Sequence, residues 1–183
     1  KIEIFSSTVA GFAYDDCLGH PAWFAPPEWL GAAEDTYPLH LLSNQPRTKL
    51  HSQLDQGPVA AAAKIKGREE ALMHKDDAAV RGINEGDIIR LFNARGAISV
   101  GVRTTDQIRH GVVMVPTGAW LDLDKDDPEL CKHGNPNMLA PDLPTSKLAQ
   151  GPAAHSCLVQ AEAVDQARLP EVTAFIPPVI EKG

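Results

Sequence analysis

The sequence predicts a mainly β domain: a closed barrel of short strands with a few short helices and extended N- and C-terminal arms. Three observations carry this. The 15 prolines and 14 glycines among 183 residues cut the chain into segments too short for long helices. Between residues 37 and 161, short apolar runs alternate with turn residues. Strands this short would leave unpaired edges in an open sheet, and closing the ring removes them.

Taken in order, Ile2-Glu3-Ile4-Phe5 alternates and predicts a short strand. Residues 17–30 are rich in proline and aromatics (Trp23, Phe24, Trp29) without periodicity, so they predict an arm that packs on a larger body. Residues 38–43 read as a buried strand ending in the polar loop Asn44-Gln45-Pro46-Arg47. Residues 60–65 fit a helix or a strand, and 71–74 predict a short strand. Asp76 or Asp77 is expected to cap a short helix over 78–81 that Gly82 ends.

Residues 88–92 and 97–103 predict two strands joined by the turn Asn93-Ala94-Arg95-Gly96, with Gly96 free to take positive φ. Residues 111–115 and 156–161 predict two more. The expected organisation is an arm over 1–35, the barrel over 36–164, and a proline-containing tail over 165–183 (Pro170, Pro177, Pro178) that wraps the surface.

A hydrophobic content of 43% supports one core, and 22% charged residues do not indicate disorder. The net charge of −7 argues against nucleic acid or a membrane surface as partner, since both select basic faces. No apolar run has the length of a membrane span. Three cysteines (Cys17, Cys131, Cys157) without a CxxC pair predict neither a disulfide scaffold nor a zinc module. Opening at Lys1 inside a strand-like pattern, the chain is expected to be a piece of a longer polypeptide.

Three segments resemble, in order, the C-terminal domain of the dimethyl sulfoxide reductase family of molybdopterin enzymes. The first is Leu41-Leu42-Ser43-Asn44-Gln45-Pro46-Arg47-Thr48-Lys49-Leu50-His51-Ser52-Gln53. The second runs from Asp77-Ala78-Ala79-Val80-Arg81-Gly82-Ile83-Asn84-Glu85-Gly86-Asp87 through Arg95-Gly96. The third is Gly134-Asn135-Pro136-Asn137-Met138-Leu139 followed by Thr145-Ser146-Lys147-Leu148-Ala149-Gln150-Gly151. The second block is shared across molybdopterin oxidoreductases. The other two are more specific to the S-oxide and N-oxide reductase branch, which includes biotin sulfoxide reductase and trimethylamine N-oxide reductase.

The resemblance covers residues 1 to 164 and implies a six-stranded double-psi β-barrel. It implies a cofactor, bis(molybdopterin guanine dinucleotide) with molybdenum, held together with the remaining domains of the same polypeptide. The intact enzyme would transfer an oxygen atom from a small S-oxide or N-oxide substrate: biotin sulfoxide, methionine sulfoxide, trimethylamine N-oxide or dimethyl sulfoxide. The family's metal ligand is a serine in another domain, and no serine here matches its motif. No catalytic or metal-ligating residue is therefore assigned, and the isolated domain is expected to be inactive. The compartment, cytoplasmic or periplasmic, depends on residues upstream.

A dinucleotide presents base-like edges, ribose and pyrophosphate, so its site needs amides, hydroxyls, backbone N–H groups and positive charge. Ser43, Asn44, Gln45, Arg47, Lys49, His51, Ser52 and Gln53 supply that mixture. With Leu50 they form the first candidate cofactor-binding set, and Asn137, Ser146, Gln150 and Gly151 form the second. Pro144 stands where relatives commonly have glycine, which removes a donor and fixes φ.

Other motifs are weaker. Asp122, Asp124 and Asp126 begin like a calcium loop, but Asp127 and His133 occupy the positions that need Gly and Glu. Cys131-Lys132-His133 lacks a second ligand pair. Packing is the expected role of Trp120. Two alternatives compete. A free-standing barrel serving as an interaction module would not need both polar sets. A relative of formate dehydrogenase or nitrate reductase would share only the middle block.

Overall fold

A computed structural model describes residues 3–176. Six strands close into a ring. Strand β1 (Leu39–Leu42) pairs in parallel with β5 (Val112–Met114), and β5 pairs antiparallel with β2 (Glu70–His74). Strand β2 runs parallel to β4 (Gly96–Thr105), which forms an antiparallel hairpin with β3 (Ile88–Asn93). Strand β7 (Leu158–Ala163) lies antiparallel between β3 and β1 and completes the circle. This is the closed, mainly β six-stranded double-psi barrel that was expected, with one strand added.

The extra strand, β6 (Leu130–Cys131), follows from the length of β4. Strand β2 pairs with the second half of β4, at 101–105, and β6 takes the same edge at 97–98. Gly101 lets a segment cross the outer face, because a Cβ there would lie 2.2 Å from that of Ile65. Residues 96–102 of β4 are consequently buried on both faces, although the run reads as a half-buried strand.

The interior is built from i, i+2 pairs, as a pleated strand requires: Leu39 and Leu41, Ala71 and Met73, Ile89 and Leu91, Val159 and Ala161. All are essentially inaccessible to water. No helix among the described residues is long and apolar enough to cross a membrane.

The undecided run resolves as helix α2 (Pro58–Ala63), where Pro58 occupies the first turn and needs no N–H partner. Helix α3 (Lys75–Ala79) starts earlier than predicted. Its cap is His74, whose Nδ1 accepts the Asp76 N–H at 3.2 Å, and Asp76 and Asp77 fill the first turn. The β3–β4 turn is closed by Asn93, whose Oδ1 accepts the Arg95 N–H at 2.9 Å.

The strand predicted over 2–5 is not formed at residues 3–5, and Ile2 lies outside the described residues. With every nearby barrel edge paired, the Ser6 N–H turns back to the Gly19 carbonyl at 2.7 Å, and helix α1 (Ser7–Gly11) follows. Trp23 and Phe24 remain exposed. Glu28 ties the arm to the barrel through two bonds to Arg95 (2.6 and 2.9 Å) and one from the Leu158 N–H (2.7 Å).

Residues 165–176 lie along the surface. Gln166 bonds both main-chain groups of Ile88, and Thr173 bonds Asp122 twice. The Pro177 and Pro178 part of the predicted tail lies outside the described residues.

Candidate functional site

Parallel pairing of β1 and β5 sends both following loops out of the same end of the barrel. The loops are stitched together by their main chains. The Val115 N–H donates to the Leu42 carbonyl and the Thr117 N–H to the Asn44 carbonyl, each at 2.9 Å. Ser43 Oγ donates to the Val115 carbonyl at 3.0 Å, and Trp120 Nε1 donates to the Ser52 carbonyl at 2.9 Å. Gly118, at φ +94°, admits the His51 carbonyl into the space a side chain would fill.

The seam opens into a cleft of about 620 Å³ walled by His51, Ser52, Thr117, Trp120, Asn135 and Asn137. A smaller pocket of about 200 Å³ adjoins the first loop at Asn44, Arg47 and Thr48. Two buried polar atoms at this seam, Asn44 Oδ1 and Thr117 Oγ1, have no hydrogen-bond partner among the described residues. Each such atom costs about 1–3 kcal/mol if left dry, so each calls for a polar partner, water or ligand.

The first loop rests on a buried ionic cluster. Lys49 Nζ contacts Asp55 Oδ1 at 2.7 Å and also bonds Glu69, and Lys64 Nζ reaches the same carboxylates at 2.8 and 3.1 Å. Two cations against two anions leave the group balanced, which a buried cluster requires. Burial pushes the Asp55 carboxyl up, but hydrogen bonds from Lys49, Lys64 and the Trp120 N–H outweigh it and hold the group below the usual carboxylate range. Lys49 is thus not the phosphate cation its position suggests.

Arg47 is left as the exposed positive charge of the loop, with no ion pair among the described residues. His133, fully buried beside the cluster, has its pKa lowered by burial and by the Lys64 charge. Its Nδ1 lies 2.9 Å from the Trp120 carbonyl, so Nδ1 carries the proton and Nε2, which has no partner, is an acceptor. Phe175 packs edge-on against both His133 and Trp120.

The structure brings His51, Ser52 and Asn137 to one cleft, with Asn44 and Arg47 on the adjoining pocket. Ser43 is half-buried, and its N–H meets His155 Nδ1 at 3.3 Å. Gln45 Nε2 donates to the Lys49 carbonyl at 2.8 Å and braces the loop from within. Leu50 and Gln53 are exposed at its tip.

Ser146, Gln150 and Gly151 are not among the walls of either cavity. They close their own turn: Ser146 Oγ accepts the Ala149 N–H at 2.8 Å, Gln150 Nε2 donates to the Ser146 carbonyl, and the Gly151 carbonyl accepts the Thr145 N–H. Lys147 ties that turn to Asp15 and Asp16 of the arm.

Sequence alone does not single out Thr117, Asn135 or the cluster around Asp55 as site residues. Gly118 after a predicted strand was the one local signal. Asp122 and Asp124 serve structure: Asp122 holds Thr173 and Lys132, and Asp124 Oδ1 accepts the Asp126 and Asp127 N–H groups.

A closed barrel that gathers amide, hydroxyl and cationic groups at one end defines a binding domain for a large polar ligand. A family model described as "Molydopterin dinucleotide binding domain" matches residues 39–158, and the chain belongs to that family. Biotin sulfoxide reductase of Cereibacter sphaeroides is 47% identical over 163 residues, 88% of this chain and 22% of that protein. Trimethylamine-N-oxide reductase 1 of Escherichia coli O157:H7 is 44% identical over 97% of this chain and 22% of its own length. Acetylene hydratase from Pelobacter acetylenicus shares the fold, with a TM-score of 0.70 at 19% identity over 90% of this chain and 23% of that one. The chain spans about a fifth of these curated relatives (22%).

Proposed function

We propose that this chain is the C-terminal domain of a molybdenum oxidoreductase, that it holds bis(molybdopterin guanine dinucleotide) against the other domains of its polypeptide, and that the intact enzyme reduces an S-oxide or N-oxide. The observation that supports this most is the pair of buried atoms without a hydrogen-bond partner among the described residues, Asn44 Oδ1 and Thr117 Oγ1, beside the exposed Arg47 in a chain of the dinucleotide-binding family. When bound, the cofactor supplies oxygen-atom transfer between substrate and molybdenum.

The work of this chain is binding and orientation. Asn44 offers its amide to a heterocycle edge, Thr117 its hydroxyl, and Arg47 a planar pair of donors for a phosphate. His51, Ser52 and Asn137 supply further polar groups across the cleft. The ionic cluster beneath keeps the loop from relaxing when these groups are loaded.

The test uses the intact polypeptide. Arg47→Ala and Asn44→Ala are expected to lower retained molybdenum and released guanine nucleotide about tenfold after extended dialysis. Reduction of trimethylamine N-oxide, biotin sulfoxide and dimethyl sulfoxide is expected to fall in proportion to that content. Full cofactor content in both variants would overturn the assignment of this end of the barrel.

A further inference from the structure

The geometry points to a divalent-cation site at the other end of the barrel, formed by His74, Asp76 and His110, with zinc as the best-matched ion. These residues come from separate elements. His74 ends β2, Asp76 lies in the first turn of α3, and His110 precedes β5. Strands β2 and β5 are antiparallel neighbours with Met73 opposite Val113, so the end of one meets the start of the other. That end lies opposite the cleft, because the cleft loops follow β1 and β5 while His110 comes before β5.

Asp76 is the shared point. Its Oδ2 lies 3.8 Å from His74 Nδ1 and 3.6 Å from His110 Nε2, and one donor atom from each of the three residues falls within 4.8 Å of the others. Ligand atoms about 2.0–2.1 Å from a tetrahedral zinc are about 3.3 Å apart. Asp76 is within about half an ångström of that spacing from each ring, and the remaining separation, no more than 4.8 Å, closes by rotation of the exposed His110 side chain. Two imidazoles and one carboxylate form a donor set suited to zinc and its first-row neighbours rather than to magnesium or calcium.

The remaining nitrogens carry a second, independent indication. His74 Nε2 lies 4.0 Å from Asp106 Oδ1, and His110 Nδ1 lies 3.5 Å from Asp77 Oδ1. Each ring therefore faces Asp76 with one nitrogen and its own carboxylate with the other. Neither separation is a hydrogen bond as it stands, and Asp106 is also paired with Lys75 at 2.7 Å. A side-chain rotation at each would give the carboxylate–histidine arrangement that fixes the tautomer and raises the basicity of metal-bound imidazole.

The frame is held without the ion. Asp77 Oδ2 accepts the Gly111 N–H at 2.7 Å and pins the His110 loop to α3, and the two rings pack with centroids 3.6 Å apart. Binding at His74 Nδ1 would replace the bond that this atom now accepts from the Asp76 N–H. With His110 60% exposed, water completes the coordination, as in an open three-ligand site.

The experiment is zinc content by mass spectrometry on the intact, tag-free polypeptide after equilibrium dialysis against zinc. Wild type is compared with His110→Ala and Asp106→Asn. The expected result is one zinc fewer in His110→Ala and about tenfold weaker zinc binding in Asp106→Asn. A second readout is the rate at which diethyl pyrocarbonate modifies His110, read by peptide mass; zinc is expected to slow it in wild type and not in Asp76→Asn. Equal zinc content in wild type and His110→Ala, or modification of His110 unaffected by zinc, would overturn the site. Neither readout depends on molybdenum or on turnover.

Discussion

A Cβ placed on Gly118 would sit 1.8 Å from the carbonyl oxygen of His51. The two loops that wall the cleft therefore touch backbone to backbone, at a position held at φ +94°. Gly118→Ala must separate them and also strain its own backbone. Gly82, at φ +65° with open space around it, isolates the conformational part. Gly82→Ala is expected to cost about 1–2 kcal/mol, and Gly118→Ala about 2 kcal/mol more. Urea unfolding of the two variants measures the difference, and cofactor retention is expected to fall only in the second.

Lys49→Met removes one of the two cations from the cluster of Asp55, Glu69 and Lys64. An uncompensated buried carboxylate remains, and the expected loss is about 3–5 kcal/mol. Adding Glu69→Gln restores the charge balance, so the double variant is expected to be more stable than Lys49→Met alone. Denaturant midpoints of wild type, single and double variants give the comparison.

His133 gives the fold a pH dependence of known sign. Its folded pKa is lowered by burial and by Lys64, so below the ordinary imidazole value the unfolded chain takes a proton that the folded one refuses. Stability is therefore complete above about pH 6.5 and declines as pH falls toward the folded value, by up to about 1.4 kcal/mol per unit. In His133→Gln this part of the slope is expected to vanish. Unfolding free energies between pH 5 and 7.5, on the order of one point per half unit, show it.

Glu28 holds the aromatic arm through a paired contact with Arg95 and a bond from the Leu158 N–H. The ion pair is about 30% exposed on each side, so its share is discounted toward about 1 kcal/mol (27% and 32%). Glu28→Ala is expected to speed proteolytic cleavage within residues 3–27 severalfold while the barrel stays intact. Raising salt is expected to accelerate cleavage in wild type more than in the variant.

Local chemistry made much of this fold legible. The hairpin of β3 and β4 follows from two apolar runs around Asn93 and Gly96, and the polar run from Ser43 to Gln53 marks a loop at a strand end. What the sequence hid depends on ring closure. Lys49, Asp55, Lys64, Glu69 and His133 have no common spacing, and only the barrel brings them together. His74 and His110 are 36 positions apart and meet because β2 lies beside β5. The 2–5 pattern failed for the converse reason: its alternation is correct, but the six ring strands among the described residues are already flanked on both sides.

That last point reaches beyond the arm. With β2 and β6 dividing one side of β4 between them and every other barrel strand flanked twice, the six ring strands among the described residues present no open edge, and the sheet ends at β6, whose outer side meets the 122–124 segment. A body that docks on the six ring strands does so through side chains, by shape and charge rather than by strand addition. Insertions in the rim loops can therefore accumulate without exposing a surface that templates aggregation.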